Sequence, residues 1–321
     1  MTQDKPKHGL EVCHASQKQA AEDVVKICKA HPVTHLEECH YIKSEPIVCK
    51  WCGSKDISKH GVSNGVQEYL CQKCGRKFNT KDAPYGMRTT VEEIGASLTM
   101  YYNGLSLSDI VQYLNETHHN PVARSTVYRW LIKFTNDAIR LLEPLKPRVS
   151  DTWIADEISL KFMDKLFWIW DIIDQDTRFL LATYLSSNRG TKQAQKLMEL
   201  ASKQAGKVPK VVITDKLAAY IDGIEIPFGA DTEHIQSSPF AGEDSTSLIE
   251  RFHGTIKDRT KVIRGFKTFD TAELIIEGFR MHYDFFRPHL SLENHTPAEA
   301  AGIKSPVKNW TELVRKVGMI V

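Results

Sequence analysis

Residues 152–185, TWIADEISLKFMDKLFWIWDIIDQDTRFLLATYL, decide the fold class. β-Branched and aromatic residues crowd three runs, Thr152–Phe162, Leu166–Asp174 and Arg178–Leu185. Tight turns at Met163-Asp164 and Asp174–Asp176 separate them, so they read as three consecutive strands. Downstream the period changes: Thr191 to about Lys203 is helical, and Val211–Ile213 is a short apolar strand. His234-Ile235 adds a further short strand, and Ser247–Lys257 and Thr271–Phe285 are helical. A three-strand meander followed by helix, strand and more helices predicts an α/β fold, a mixed sheet covered by helices.

Three acids stand at unusual places in this pattern. Asp156 lies inside the first strand, with Ile154 and Ile158 on its face, where a carboxylate is costly unless paired or bound to a cation. Strand alternation turns its neighbour Glu157 to the other face. Asp215 ends the apolar run Val211-Val-Ile-Thr, at the carboxyl end of a strand, where open sheets collect ligands. Glu250 lies on a helix, with His253, Gly254 and Lys257 following on about the same side. One acid on a strand, one at a strand end and one on a helix suit convergence on divalent cations.

Upstream, Cys49-Lys-Trp-Cys52 and Cys71-Gln-Lys-Cys74 form two C-x2-C pairs with the spacing of a four-thiolate zinc site. Gly53 and Gly75 follow each pair, where the chain must turn tightly. Lys50, Lys55, Lys59, Lys73, Arg76 and Lys77 surround this four-Cys zinc ribbon, residues 46–82. Contact with DNA phosphates, a scaffold and a subunit contact are all open roles for it. Residues 88–146 are helical, with runs Thr90–Tyr102, Ser106–Leu114 and Ser125 to about Leu142. In the last, Ser125 reads as the N-cap and Val127, Trp130, Leu131 and Phe134 as the buried face. Arg124, Thr126 and Arg129 then face outward near the helix start, as in a helix-turn-helix; a plain three-helix bundle is the alternative.

Residues 1–45 hold a helix-like stretch, Ser16–Ala30. Cys13, Cys28 and Cys39, with His14 and His40, lack metal-ligand spacing and read as ordinary residues.

Charge is balanced over the 321 residues, 42 Lys and Arg against 40 Asp and Glu, but it is unevenly spread. From Asp215 to Glu250 there are eight acids to one base; from Arg251 to Lys267 there are six bases to one acid. An acidic stretch beside a basic one suits a site that holds cations and meets phosphates. No run approaches the roughly 18 apolar residues of a membrane span, MTQDKPKHGLEVCHASQ lacks the apolar core expected of a secretory signal, and the P-loop pattern does not occur. A cytoplasmic, nucleoid-associated protein with no membrane partner is expected.

The stretches ADEISLKF, VITDKLAAY, SLIERFHGTIKDRTKVIRGFK and HYDFFRPHLSLENHTPAEAAG resemble the DDE transposases of prokaryotic insertion sequences. The 34 residues between Asp215 and Glu250 are close to that family's interval. The resemblance covers about residues 46–303 and implies a ribonuclease H-like mixed-sheet catalytic core, 151–303, preceded by the zinc ribbon and a helix-turn-helix domain. Residues 304–321 would form a C-terminal tail, and residues 1–45 an extension of open role. It implies Asp156, Asp215 and Glu250 as catalytic ligands of two Mg2+ (or Mn2+) ions, and one structural Zn2+ on Cys49, Cys52, Cys71 and Cys74. Arg251, His253 and Lys257 become expected DNA contacts, and the basic run Lys257, Arg259, Lys261, Arg264 and Lys267 expected phosphate contacts. Where the family has an Asn pair before the catalytic Glu, this chain has Ser245-Thr246-Ser247. The implied activity is metal-dependent strand cleavage and strand transfer on double-stranded DNA, by a dimer or larger homo-oligomer. A DNA-binding regulator with an idle core and a metal-dependent nuclease are the competing readings.

Overall fold

The computed structural model describes residues 46–63, 66–84, 86–118, 121–162, 164–237, 246–261 and 268–318. The expected helix at Ser16–Ala30, the cysteines and histidines near it, and Arg264 and Lys267 lie outside the described residues. The elements belong to one compact unit, Val48–Val321.

Strands β1 (Ile57–Ser63), β2 (Val66–Cys71) and β3 (Lys77–Asn79) form a small antiparallel sheet in the order β1-β2-β3. Its core is slight: Cys49, Cys71 and Phe78 are buried, with Trp51, Ile57 and Tyr69 packed against them. Gly53 and Gly75 adopt φ of +69° and +67°, so the backbone closes back on itself after each cysteine pair without a Cβ penalty.

Helices α1 (Val91–Tyr102), α2 (Leu107–His118) and α3 (Arg124–Leu142) follow. Thr90 caps α1 in a reciprocal arrangement with Glu93, satisfying two backbone donors at that end. The N-cap of α3 is Ala123, without a side-chain hydrogen bond, so the expected Ser125 cap is displaced by two residues. The apolar face of α3 is as the periodicity predicts: Val127, Trp130, Leu131 and Phe134 are buried.

The main sheet comprises β4 (Thr152–Phe162), β5 (Lys165–Asp174), β6 (Leu180–Ser186), then β7 (Val211–Thr214) and β8 (Glu233–Gln236). Their order is β6-β5-β4-β7-β8. β5 is antiparallel to both β4 and β6, whereas β4, β7 and β8 run parallel, so the sheet is mixed. Its helices are α4 (Thr191–Ala205), α5 (Ala219–Phe228), α6 (Ser247–Lys261) and α7 (Phe269–Met281), followed by short α8 (Pro297–Ala300) and α9 (Trp310–Gly318). The expected helix Thr271–Phe285 is thus two pieces: α7 gives way to a wider π-type turn over His282–Phe286.

Period-two alternation assigns the two faces. Glu157, its cross-strand neighbour Trp170 and Tyr184 beyond it look towards Tyr220 of α5. Asp156 and its neighbour Asp171 look towards His253 of α6. Phe167, on the latter face, meets Phe269 of α7. Helices therefore cover both faces, which is why the β5 and β6 sequences read as near-continuous apolar runs.

One hydrophobic cluster joins the sheet to the upstream helices and to α9. Tyr102 is its hub: the hydroxyl meets Thr135 Oγ1 at 2.5 Å, and the ring stacks on Trp310 with centroids 5.0 Å apart. Gly278 makes room for it, since a Cβ there would collide with the Tyr102 hydroxyl. α9 packs along α1, and its Trp310 is fully buried.

Candidate metal site

Parallel pairing of β4 with β7 sets Ile154 beside Ile213. Beyond the last paired residues, Asp215 follows the end of β7 and comes close to Asp156 of β4. Single oxygens of Asp156, Glu157 and Asp215 all lie within 4.8 Å of one another. Ligands opposite each other on an octahedral Mg2+ stand about 4.2 Å apart, twice the usual metal–oxygen distance, so the spacing and hard oxygen chemistry fit such an ion. The Asp215 carboxylate is oriented from behind by the Leu217 backbone N–H, donating to Oδ1 at 2.9 Å.

Glu157 was excluded from this site by strand alternation, and the alternation holds, yet one of its oxygens sits close to the aspartates. That carboxylate is already occupied. Arg189 donates to Oε1 through Nε at 2.7 Å and also through Nη2, and the Tyr220 hydroxyl donates to Oε2 at 2.9 Å. Burial pushes the Glu157 carboxyl up, while the Arg189 and Tyr220 hydrogen bonds pull it down. Arg189 in turn lies over the Trp168 ring, 4.5 Å from its centroid.

Glu250 is not among the clustered acids. It sits exposed in the first turn of α6, where the positive end of the helix dipole favours an anion, and its Oε1 accepts from Thr246 Oγ1 at 3.1 Å. Thr246, in the Ser245-Thr246-Ser247 stretch, thus holds the acid at the helix start.

His253, expected to touch DNA, is corrected by its burial: only 3% of it is exposed. Its Nδ1 lies 3.3 Å from Asp156 Oδ2 and its Nε2 3.0 Å from Asp171 Oδ2. Burial alone would lower its pKa, but hydrogen bonds and charge from the two aspartates raise it to about 9. Each ring nitrogen thus faces a carboxylate oxygen. The sequence pattern missed Asp171, hidden as a lone acid within an apolar strand; its position opposite Asp156 was the available signal.

Arg251 and Lys257 are exposed on α6, and Arg259 is half-buried beside Gly104. Arg124 and Arg129 are exposed at the start of α3, with Thr126 half-buried between them. Arg129 folds back on its own helix, donating to the Ser125 carbonyl and to Thr126 Oγ1. Lys261 ends α6.

In the small sheet the four sulfurs gather within 4.8 Å, with Cys49–Cys74 at 3.7 Å and Cys52–Cys71 at 3.6 Å. Tetrahedral zinc with bonds of about 2.3 Å places its sulfurs about 3.8 Å apart, so the cluster fits that ion. The thiols share their protons: against burial, the Cys74 N–H and the neighbouring thiols bring Cys71 down to about 7, while Cys52 is pushed up to about 12 and Cys74 is raised.

Residues 150–289 match the family model of the DDE domain. A transposase for the insertion sequence-like element IS431mec of Staphylococcus aureus is 25% identical over 186 residues, 57% of this chain and 79% of that protein. An uncharacterised protein of Methanocaldococcus jannaschii is 23% identical over 192 residues, 59% of this chain and 83% of its own length. Among solved structures, the HTLV-2 integrase catalytic core domain in complex with magnesium aligns over 49% of this chain and 98% of that one, at 16% identity and a TM-score of 0.37. Residues 150–289, the part that matches the DDE domain model and overlaps the similarity to the insertion-sequence transposase, hold Asp156, Asp215 and Glu250.

Proposed function

We propose that the chain binds the ends of an insertion sequence and cuts and joins DNA there, with Asp156, Asp215 and Glu250 as its metal ligands. The observation that supports this best is the meeting of an oxygen of Asp156, inside β4, with one of Asp215, just past the end of the parallel strand β7. Two Mg2+ ions, when bound, would activate the attacking oxygen and stabilise the leaving one.

The chain's own residues prepare for this. Asp156 and Asp215 present acceptor-only oxygens on a rigid sheet, so little side-chain freedom remains to be lost. Glu157 is withheld from the pair by Arg189 and Tyr220. Glu250 completes the set by approach from the first turn of α6, the one element of the trio not already in reach. Arg251, Lys257, Arg259 and Lys261 of that helix then hold phosphates, and Arg264 and Lys267, next in the sequence, add to the same basic run. Arg124, Thr126 and Arg129 at the start of α3 read the terminal sequence as a helix-turn-helix. The division into zinc ribbon, helix-turn-helix region and catalytic core follows, with Zn2+ on the four cysteines and at least two copies joining paired DNA ends.

In bond terms, water attacks a phosphodiester at the element's end, freeing a 3′-hydroxyl. That hydroxyl attacks a target phosphodiester, forming one P–O bond as another breaks. The test is Asp215→Asn on end-containing DNA in Mg2+. Strand cleavage should fall by at least about 1,000-fold, while DNA binding stays within about 2-fold. Wild-type cleavage by this variant would remove Asp215 from the site.

A further inference from the structure

Asp171 and His253 lie outside the proposed ligand set, yet both are buried against it. Asp156 and Asp171 are directly paired across β4 and β5, an arrangement that is unfavourable for two like charges. Asp171 is fully buried, and an unpaired carboxylate there would be costly. It is satisfied on both oxygens: Thr183 Oγ1 on β6 meets Oδ1 at 2.5 Å, and His253 Nε2 meets Oδ2 at 3.0 Å. The same imidazole reaches Asp156 with its other nitrogen. Three elements, β4, β5 and α6, are thus linked through one ring, and β6 joins them through Thr183 and Asp171.

We infer that His253 is a positioning residue: pinned by Asp171 at one ring nitrogen, it fixes the Asp156 carboxylate at the other and seats α6 on the sheet. The inference rests on the proposed reading of Asp156 as a metal ligand. Asp171 and Thr183 have no route to substrate; their role is to hold the ring. With Asp156 Oδ2 held by His253, Oδ1 is the oxygen that this ring leaves free. Glu250 is three residues before His253, one turn earlier and about 5–6 Å away between Cβ atoms. The anchor of Asp156 is therefore also the anchor that sets where Glu250 begins its approach.

The test measures Mn2+ binding to the full chain without DNA, by electron paramagnetic resonance, together with the melting temperature. Partners that orient metal ligands typically contribute about 10- to 100-fold in metal affinity. His253→Gln, which cannot bridge two carboxylates in this geometry, should weaken the Mn2+ midpoint by about 10-fold or more while the protein still melts cooperatively. Asp171→Asn keeps the shape and the Thr183 contact, and should shift the midpoint in the same direction; it decides the matter if His253→Gln fails to fold. A lowered melting temperature with an unchanged Mn2+ midpoint in either variant would mean a purely structural bridge and overturn the inference. Asp215→Asn is the control. If it abolishes Mn2+ binding while His253→Gln and Asp171→Asn retain it, only this inference fails. If wild type and Asp215→Asn bind Mn2+ alike, the proposed site itself fails.

Discussion

Glu157 and Asp156 are chain neighbours with opposite fates, decided by which partner each face of the sheet offers. Glu157 has a side chain with no exposure, held by Arg189, whose own side chain is 37% exposed. Removing the cation would leave a buried carboxylate facing only Tyr220, the kind of loss that costs roughly 3–5 kcal/mol in a fully buried pair; partial exposure of Arg189 brings the expectation below that range. Arg189→Ala should therefore lower the unfolding free energy by about 2–3 kcal/mol in a denaturant titration. No change would mean that the Glu157 carboxyl is neutral in the folded chain. The opposite facing of these two acids was legible from the sequence, because strand alternation is strict. The burial of His253 was not: helical spacing groups Glu250, His253 and Lys257 on one side but is silent on how far that side rolls under the sheet.

At the scale of elements, β4 and the three helices before it were legible because their signals are local. Thr152–Phe162 is rich in β-branched and aromatic residues and is bounded by a turn, and α1 and α3 repeat apolar residues at helical spacing. The break of the last long helix into α7 and the π-type turn at His282–Phe286 was not legible. It depends on tertiary partners: Trp310 Nε1 donates to His282 Nδ1 at 3.2 Å, and Asp284 accepts from the Leu180 N–H at 2.9 Å. The small cysteine sheet is the element least able to stand on packing alone, with three buried hydrophobic residues at its centre. Zinc coordination would supply the missing stability, as it does for structural sites of this size. Removing zinc with a chelator should speed amide exchange across 57–79 by at least about 100-fold and leave 152–186 protected. Equal protection with and without zinc would show that the sheet folds without its metal.

On the scale of the whole molecule, the helices α1–α3, the mixed sheet and α9 share one hydrophobic cluster, with Tyr102 against Trp310, Phe279 and His282 at the junction. A DNA-reading surface at the start of α3 would then be tied to the carboxylate site through packed side chains rather than through a free linker. Among the described residues, no helix is long and apolar enough to cross a membrane. Binding, cutting and joining are three separable properties, and joining is the one that neither a regulator nor a simple nuclease possesses. The most direct measurement offers the full chain, in Mg2+, a pre-cleaved insertion-sequence end with a free 3′-hydroxyl and a supercoiled target. Covalent joining of that end to the target, lost in Asp215→Asn, is the predicted result; nicked target with no joined product would contradict it.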